Sequence, residues 1–438
     1  MPGTLPETAA DLVGGFTPEV FAAHLASLPS APAWWLERKR AAYARFEALP
    51  MPSRTDEGWR FSNLSGVRID GFSPAEPGHA RSPAALEVES SATLSFLNGL
   101  PAGAAPVAPA LAARGVVVST LLEAVARHPE LLREHFMAQP QKLGSPKFAA
   151  LHEAFVRDGA FIYVPRGVEV EKPIIVVHAA AGAGTAVFPH TLVIAEDNAK
   201  VSVVDYFASV DGARQFACGA NDLYAGHGAK VAYAAAQCWS LETLSLQFNS
   251  TVVRRDARVQ SLNVHLGARQ ARHESLSQLQ APGGFSEMLA VTVASGAREF
   301  DQRTLQIHQA PNTKSDLLYK NALLDASRTI FSGLIIVDPD AQKTDAYQSN
   351  RNLMLSDDAE SNSLPGLEIQ ANDVRCTHGA TSSRIDPEQE FYLKSRGIPP
   401  KAANELLIFG FFEEVLDRLE SEDLHAALRA LIRSRFTA

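Results

Sequence analysis

The stretch TLVIAEDNAKVSVVDY, residues 191–206, decides the fold of this chain, because two runs rich in β-branched residues enclose the turn DNAKV. Similar runs follow one another from about residue 161 and predict strands, and helical periodicity is nearly absent until about residue 385. In one of them Leu262, Val264 and Leu266 alternate with polar residues, which predicts a half-buried strand. So long a series of strands exceeds what an ordinary β-sandwich needs.

Turns like DNAKV recur in this region, and each places a small residue next to a basic one. Their central residues are Ala199, Ala229, Ala257, Ala297 and Ser327, and the intervals between these positions are 30, 28, 40 and 30. A nearly constant interval of this size indicates stacked coils, each of which buries its apolar face against its neighbours. The sequence therefore predicts a β-helix or flattened β-solenoid, with a large jelly roll as the alternative.

Both ends of the chain are predicted to be helical. Helix starts are predicted at Thr17-Pro18, at Thr120 with Glu123, at Ser145-Pro146, after Pro399-Pro400 and at Ser421. The helix from Ser145 should stop at Gly159. We divide the chain into an N-terminal, mainly helical domain with a few short strands (1–158), a β-helix core (159–384) and a C-terminal helical domain (385–438).

The composition excludes several classes of protein. Hydrophobic residues make up 46% of the 438 residues, which is enough for more than one core and too much for a wholly disordered chain. The formal net charge of −9, from 40 basic and 49 acidic residues, argues against nucleic acid as a partner. Three cysteines without CxxC spacing argue against a disulfide framework and a conventional zinc site.

The sequence predicts a cytoplasmic location. The first residues include Glu7 and Asp11 and lack both a basic segment and a continuous apolar run, so no secretory signal is expected. The most apolar long stretch, residues 173–189, is interrupted by His178, Gly182 and Gly184 and should not span a membrane. We therefore expect no membrane partner.

Motifs of the common enzyme classes are missing from the chain. There is no GxxxxGK[ST] loop, so the chain should not hydrolyse ATP, and there is no GxSxG or HExxH motif. Carboxylates are plentiful between Asp301 and Asp345, and paired acids on a β-helix can cleave sugars. A carbohydrate-active β-helix enzyme is the alternative function, although the sequence singles out no particular pair of acids.

One short segment, DVRCTHGAT, combines a thiol and an imidazole. Cys376 and His378 are two residues apart, so on a strand they point to the same face, about 6.5–7 Å from each other. Both could then reach one soft metal ion or one iron–sulfur cluster. A packed cysteine beside a surface histidine is the alternative interpretation of the same spacing.

The run CTHGAT, followed by FYLKSRGI and NELLIFGFFEEV, closely resembles the SufB/SufD family of iron–sulfur cluster assembly scaffolds. The preceding segment from KTDAYQSNRN to LEIQANDVR is similar to the same family's signature across the last coils. Near the front, DEGWRFSNL (56–64) is similar to the family's N-terminal Trp-Arg element. These segments extend from about residue 56 to 415.

The resemblance implies a mainly β fold, with a right-handed parallel β-helix core flanked by helical domains. It also implies a non-catalytic scaffold subunit of a cytoplasmic cluster assembly complex. In such a complex a SufD-like chain pairs with a SufB-like chain through their β-helices, and each recruits a SufC-like ABC ATPase through its C-terminal helices. The cargo is a transient iron–sulfur cluster, and reduced flavin is associated with the complex but has no locatable site in this sequence.

Within the family, the resemblance is to SufD-like chains, because Gly379 stands where SufB-like chains carry a glutamate. It implies that His378 lies at the interface between the scaffold chains, and that His378 and Cys376 are the first candidates for cluster ligands. A set of only two ligands from this chain suits a cluster that must be released. The expected ATPase contacts are Tyr392, Arg396, Gly397, Ile398, Leu407, Phe409, Phe411 and Phe412, of which the aromatic residues would otherwise be ordinary core. Exposed solenoid edges also predict a homodimer when the chain is alone.

Overall fold

The computed structural model describes residues 13–76 and 86–437. Glu7 and Asp11, on which the expectation of no secretory signal depends, lie outside the described residues. Within these ranges the chain forms a long parallel β-solenoid, with helices packed on the outer faces of both of its sheets.

Six helices of the described residues come before the main run of coils, and three follow it. In the described residues they are α1 Pro18–Ala26, α2 Ala33–Ala48, α3 Pro109–Ala113, α4 Leu121–Arg127, α5 Pro129–His135, α6 Pro146–Phe155, α7 Pro387–Ser395, α8 Pro400–Leu416 and α9 Glu422–Thr437. The predicted starts are confirmed, and Thr17 and Thr120 accept capping hydrogen bonds at 3.4 and 3.2 Å. None of the helices in these ranges is long and apolar enough to cross a membrane.

Helix α6 ends at Phe155, before the predicted stop at Gly159. The buried ammonium group of Lys39, from α2, donates to the carbonyl groups of Glu153, Ala154 and Val156 at 3.4, 3.3 and 2.5 Å. These carbonyls belong to the last turn, which lacks partners within the helix and favours a cation. A distant lysine therefore ends this helix, and the nearby glycine does not.

The strands form two sheets that face each other across the interior. Sheet 1 contains β1 Ser73–Pro74, β4 Val117–Thr120, β5 Ala160–Val164, β7 Thr185–Val187, β8 His190–Ala195, β10 Gln215–Ala225, β12 Leu244–Val253, β14 Gln270–Leu279, β16 Glu299–His308, β18 Arg328–Val337 and β20 Glu360–Ile369. Sheet 2 contains β2 Ala92–Leu97, β3 Leu100–Ala105, β6 Ile174–Ala180, β9 Lys200–Ser209, β11 Lys230–Cys238, β13 Arg258–His265, β15 Phe285–Ala294, β17 Lys314–Leu323, β19 Asp345–Met354 and β21 Arg375–Ser383. Successive coils are paired in parallel, so the jelly-roll alternative, which needs antiparallel strands, is wrong.

The coils of the solenoid are nearly equal in length. Along sheet 2 the residues paired in register are Lys200, Lys230, Arg258, Phe285, Lys314, Asp345 and Arg375, so successive positions differ by 27 to 31. The longer interval from Ala257 to Ala297 is therefore not one coil, because Ala257 precedes β13 of sheet 2 and Ala297 precedes β16 of sheet 1. The same turn serves both corners, and the preceding residues, Asp256 and Gly296, have φ of 55° and 63°, a conformation that favours Asp, Asn and Gly.

The alternation in β13 separates the interior from the exterior, but both faces of its second half are buried. Leu262 and Val264 point outward and share a hydrophobic cluster with α8 and α9. Asn263 points inward, where it accepts a hydrogen bond from Asn249 at 3.4 Å, and the ring of His265 lies close to that of His273 at an interplanar angle of 46°. The expectation of a half-buried strand is wrong here, because the C-terminal helices cover the outer face and the interior is polar.

The N-terminal region packs on the outer face of sheet 1 and also extends both sheets. Strand β2 pairs with β6, and β4 pairs with β5. One hydrophobic cluster joins α1, α2 and α6 to Leu246 and Phe248 of β12. Trp59, from the segment DEGWRFSNL, is buried, and Cζ of Arg272 lies 3.9 Å from the centroid of its ring. The boundary at residue 158 stays a prediction, but the two regions share a core.

A buried carboxyl group lies inside the first coils. Asp205 accepts hydrogen bonds from the hydroxyl groups of Tyr233 and Thr191 at 2.6 and 3.1 Å. Burial raises the pKa of Asp205 from 3.8 to about 7, and the two hydrogen bonds oppose this rise only in part. Between pH 3.8 and about pH 7, the Asp205 carboxyl is therefore protonated in the folded protein and ionised in the unfolded chain.

We expect Asp205→Asn to reduce the pH dependence of stability. Because folding raises the pKa of this acid, its stabilising contribution is complete below pH 3.8 and is lost as the pH rises through about 7. An amide does not ionise, so the free energy of unfolding of the variant should exceed that of the wild type by about 2–4 kcal/mol at about pH 8. Urea midpoints of both proteins at about pH 5 and pH 8 measure this difference, and a constant difference between the two proteins would contradict it.

Candidate functional site

The last coil of the solenoid leaves one edge of each sheet unpaired in the described residues. Strand β20 ends sheet 1 and β21 ends sheet 2. The N–H of Arg375 bonds to the carbonyl of Thr344 at 2.8 Å, so this residue directs its backbone toward β19. In a parallel ladder, alternate residues direct their N–H and C=O groups to opposite sides of the strand. The residues that direct these groups to the open edge are therefore Cys376, His378, Ala380 and Ser382. Such an edge is ready to pair with another strand.

Cys376 and His378 lie on the same face of β21, as their spacing predicts, and this is the inner face of the solenoid. Their partners in β19 are Ala346 and Gln348, and the Gln348 amide reaches across the interior to the carbonyl of Gly333 at 3.3 Å. His378 is exposed at the mouth of the solenoid, and none of the described residues forms a hydrogen bond with its side chain. No further coil covers it in these ranges.

The thiol of Cys376 is partly enclosed. It packs on the apolar cluster of the last coils, which includes Ile335, Val337 and Ala346. Burial raises the pKa of this thiol, while a backbone hydrogen bond from Ala346 opposes the rise and the charge of Asp345 adds to it. The resting group is therefore a thiol, and a metal or another cation must lower its pKa before it becomes a good ligand.

As candidate metal ligands, the two side chains would make an incomplete set. One imidazole and one thiol leave at least half of a four-coordinate site to other molecules. In the parts of the chain that the structure describes, one group of three close donors occurs elsewhere: Glu413, Asp417 and His425, at the junction of α8 and α9. There Arg429 pairs with Glu413, and His425 lies 3.0 Å from the same carboxylate, so this group is an ion-pair network between two helices.

Helices α7 and α8 carry the most exposed large apolar side chains of the described residues. The exposed fractions are 73% for Phe391, 55% for Tyr392 and 49% for Leu406, and we call these three residues the α7–α8 surface. Cζ of Arg396 lies 5.2 Å from the centroid of the Tyr392 ring, and Gly397 leaves the helix with φ of 83°. Grouped apolar side chains of this kind mark surfaces that partners cover.

The remaining apolar residues among the predicted ATPase contacts are half-buried or buried. Ile398, Leu407 and Phe411 are half-buried, whereas Phe409 and Phe412 are buried in the cluster that joins α8 to sheet 2. The rings of Phe409 and Phe412 help to pack α8 on its neighbours, and they cannot touch a partner in this conformation. A direct contact with the ATPase therefore stays a prediction for the exposed residues of the set only.

Sequence reasoning missed Phe391 and Leu406. Phe391 precedes Tyr392 in the run FYLKS, which was the available signal. The exposure of Leu406 depends on which side of α8 meets sheet 2. That side is decided in part by Lys320, whose ammonium group donates to the Phe411 carbonyl at 2.7 Å and lies 4.6 Å from the centroid of its ring.

Two of the central carboxylates, Asp301 and Asp316, are each held in ion pairs with arginine. Asp301 is buried between Arg272 and Arg303 on the outer face of sheet 1. Asp316, on sheet 2, pairs with Arg418 at 2.8 Å. Hydrolysis of a sugar needs two carboxyl groups that face each other about 5–10 Å apart. The structure therefore gives no support to the carbohydrate-active enzyme.

Comparisons with known proteins agree with this geometry. The family model "SUF system FeS cluster assembly, SufBD core domain" matches residues 177–411, and "SufBD protein N-terminal region" matches residues 97–176. The iron–sulfur cluster assembly protein SufD of Bacillus subtilis is 30% identical over 417 residues, which cover 92% of this chain and 94% of that protein. SufD of Escherichia coli is 30% identical, covering 88% and 89%, and a SufBD family protein of Synechocystis is 27% identical, covering 91% of each. The chain therefore belongs to the SufB/SufD family of iron–sulfur cluster assembly proteins.

Proposed function

We propose that this chain is a non-catalytic, SufD-like scaffold subunit of a cytoplasmic cluster assembly complex. It pairs through the open end of its solenoid with a SufB-like chain and binds a SufC-like ABC ATPase through the α7–α8 surface. ATP hydrolysis belongs to the ATPase, because this sequence has no GxxxxGK[ST] loop. Reduced flavin stays an expectation for the assembled complex, and we assign it no residues here.

The open end of the solenoid is the observation that carries the proposal. The free edges of β20 and β21 present regularly spaced backbone donors and acceptors, which are unfavourable to leave exposed and which promote pairing. Ile369, at the end of β20, is 40% exposed and adds an apolar contact. A homologous β-helix has strands of the same spacing, so it is a natural partner, and a second copy of this chain is the alternative partner when the first is missing.

The position of the two ligand candidates at this end suits a cargo that is passed on. Cys376 and His378 face the mouth, and a partner that pairs with β21 would bring its own ligands close to them. A cluster bound by two chains can be released when the chains move apart, whereas four thiolates from one chain would hold it permanently. The nascent cluster is thus a substrate shared at the interface.

The first experiment tests the edge. Ala380→Pro removes an N–H that points to the open edge and leaves the bonds to β19 in place, because Ala380 directs its backbone away from β19. We expect at least a tenfold loss of affinity for the SufB-like chain, about 1.4 kcal/mol. Sedimentation of the mixed chains measures it, and Ala380→Thr, which keeps the N–H, is the matched control. Equal affinity of the proline and threonine variants for the SufB-like chain would contradict pairing through this edge.

The second experiment tests the imidazole. His378→Ala should lower the iron and sulfide content of the purified complex by about half or more, because one of few ligands is lost. Thr377→Ala is the control, since Thr377 is equally exposed on the same strand but lies on the other face. The thermal midpoint of the isolated chain should not change, because His378 has no hydrogen-bond partner among the described residues. Unchanged cluster content would remove His378 from the ligand set.

The third experiment tests the ATPase contact. Leu406→Asp places a charge on the α7–α8 surface and should reduce recovery of the ATPase at least tenfold in co-purification. Leu241→Asp is the matched control, because Leu241 is 48% exposed in the turn after β11. Pairing with the SufB-like chain should survive in both variants. Retention of the ATPase by the Leu406 variant would show that the contact lies elsewhere.

A further inference from the structure

The loop at residues 59–63, which belongs to the segment DEGWRFSNL, is anchored on both sides of Phe61. The indole of Trp59, the carbonyl of Arg60 and both backbone groups of Asn63 form hydrogen bonds of 2.7 to 2.9 Å. Their partners are Gly144, Arg303, Glu299 and Gln270. The conformation of Phe61 is therefore imposed by the anchors beside it, and we call this segment the Trp59 loop.

These anchors hold Phe61 in an unfavourable position. Its φ is 68°, in the left-handed region that bulky residues rarely adopt, and its side chain is 40% exposed. The guanidinium of Arg60 lies over the ring, with Cζ 5.1 Å from the ring centroid. Neither the strained backbone nor the exposed ring stabilises the chain, and strain of this kind clusters at functional sites.

A cleft of about 510 Å³ lies between the Trp59 loop and the turns that precede β16 and β18. Ala297 and Ala326 belong to these turns, and their small side chains leave room in the cleft. Glu299 and Arg328, at the starts of the two strands, are register partners and complete this wall. Pockets that bind small molecules measure about 300–1,000 Å³, so the cleft has a suitable size.

Three guanidinium groups line the cleft, those of Arg54, Arg60 and Arg328. Arg54 and Arg60 are exposed, and neither forms an ion pair with a carboxylate of the described residues. Glu299 is the acidic residue of the lining. Because the whole chain has a formal net charge of −9, this excess of positive charge is a local feature of the cleft.

Arg328 has hydrogen-bonding capacity to spare. Its two terminal nitrogens lie 3.6 Å from Glu299 and 3.4 Å from Glu360, which are contacts between charges but are longer than ordinary N–H···O bonds of about 2.7–3.2 Å. Its Nε atom is buried and has no hydrogen-bond partner in the described parts of the chain. The two carboxylates therefore hold the guanidinium in place without satisfying its donors.

We propose that this cleft binds a small molecule that carries a phosphate group on a planar ring. Arg54 and Arg328 hold the phosphate, and the ring packs on Phe61 beside Arg60. Three guanidinium groups offer more N–H donors than the two oxygens of a carboxylate can accept, whereas a phosphate ester has three terminal oxygens and up to two charges.

The ligand site is separate from the contacts proposed for cluster assembly. Glu299 and Arg328 lie on the outer face of sheet 1, because they alternate with the residues that face the interior. Cys376 and His378 face the interior, and α8 packs on sheet 2. Binding to the cleft can therefore be measured on the isolated full-length chain, and its outcome does not depend on the SufB-like chain or the ATPase.

The first test is calorimetric titration of the full-length chain with adenosine monophosphate. We expect saturable binding, and at least tenfold weaker binding of adenosine and of inorganic phosphate, because each probe lacks one half of the ligand. Arg54→Gln should weaken the binding of adenosine monophosphate about tenfold, since a hydrogen bond to a charged group is lost. Arg166→Gln is the matched control, because Arg166 is exposed in the turn after β5, outside the cleft.

The second test removes the ring without disturbing the loop. Phe61→Gly deletes the side chain, and glycine adopts a φ of 68° without strain. The thermal midpoint of this variant should therefore not fall below that of the wild type. Its affinity for adenosine monophosphate should fall to that of inorganic phosphate, whose own binding should be unchanged.

Several results would overturn the proposal. One is the lack of saturable binding of adenosine monophosphate at millimolar concentration, and another is binding that neither Arg54→Gln nor Phe61→Gly weakens. Inorganic phosphate that binds as tightly as adenosine monophosphate would also overturn it, because the cleft would then be a plain anion site. Binding of a polyglutamate peptide without binding of adenosine monophosphate would assign the cleft to an acidic protein segment instead.

Discussion

Backbone hydrogen bonds between successive coils hold this molecule together, because each parallel strand finds its partners only in the coil before it and the coil after it. At the front the parallel series gives way to antiparallel strands, since β3 pairs with β2 and β4 pairs with β5. At the back, β20 and β21 have no following coil in the described ranges. The ladder that stabilises the fold therefore also creates its open edge, and the ligand candidates lie on that edge.

The outer faces of the sheets are closed by helices through a few strong contacts. On sheet 1, the buried guanidinium of Arg272 meets the Trp59 ring and the carboxylates of Glu274 and Asp301, which ties the N-terminal segment to the coils. On sheet 2, α8 buries one side, which includes Phe412, against the strands. Breaking one partner of a buried ion pair is far more harmful than losing an exposed pair. The helices are therefore fixed parts of the scaffold, although α7 has no buried residue in the structure.

The interior differs from that of most globular proteins because amides, hydroxyls and imidazoles line a large part of it. Apolar contacts are non-directional and would tolerate a shift of one coil against the next, whereas bonds such as Asn321 to Asn352 form only in one register. We infer that these side chains help to keep the coils aligned.

Local pattern determined much of what could be read without a structure: the strand-rich centre, the recurring turns with a small residue next to a basic one, the helix caps at Thr17 and Thr120, and the shared face of Cys376 and His378. These features depend on neighbours within a few residues, so the sequence carries them directly. Which face of each strand is covered, which corner each turn serves and where α6 ends were decided only by tertiary contacts. Those contacts join residues far apart in the chain, such as Lys39 and Val156, and no local periodicity encodes them.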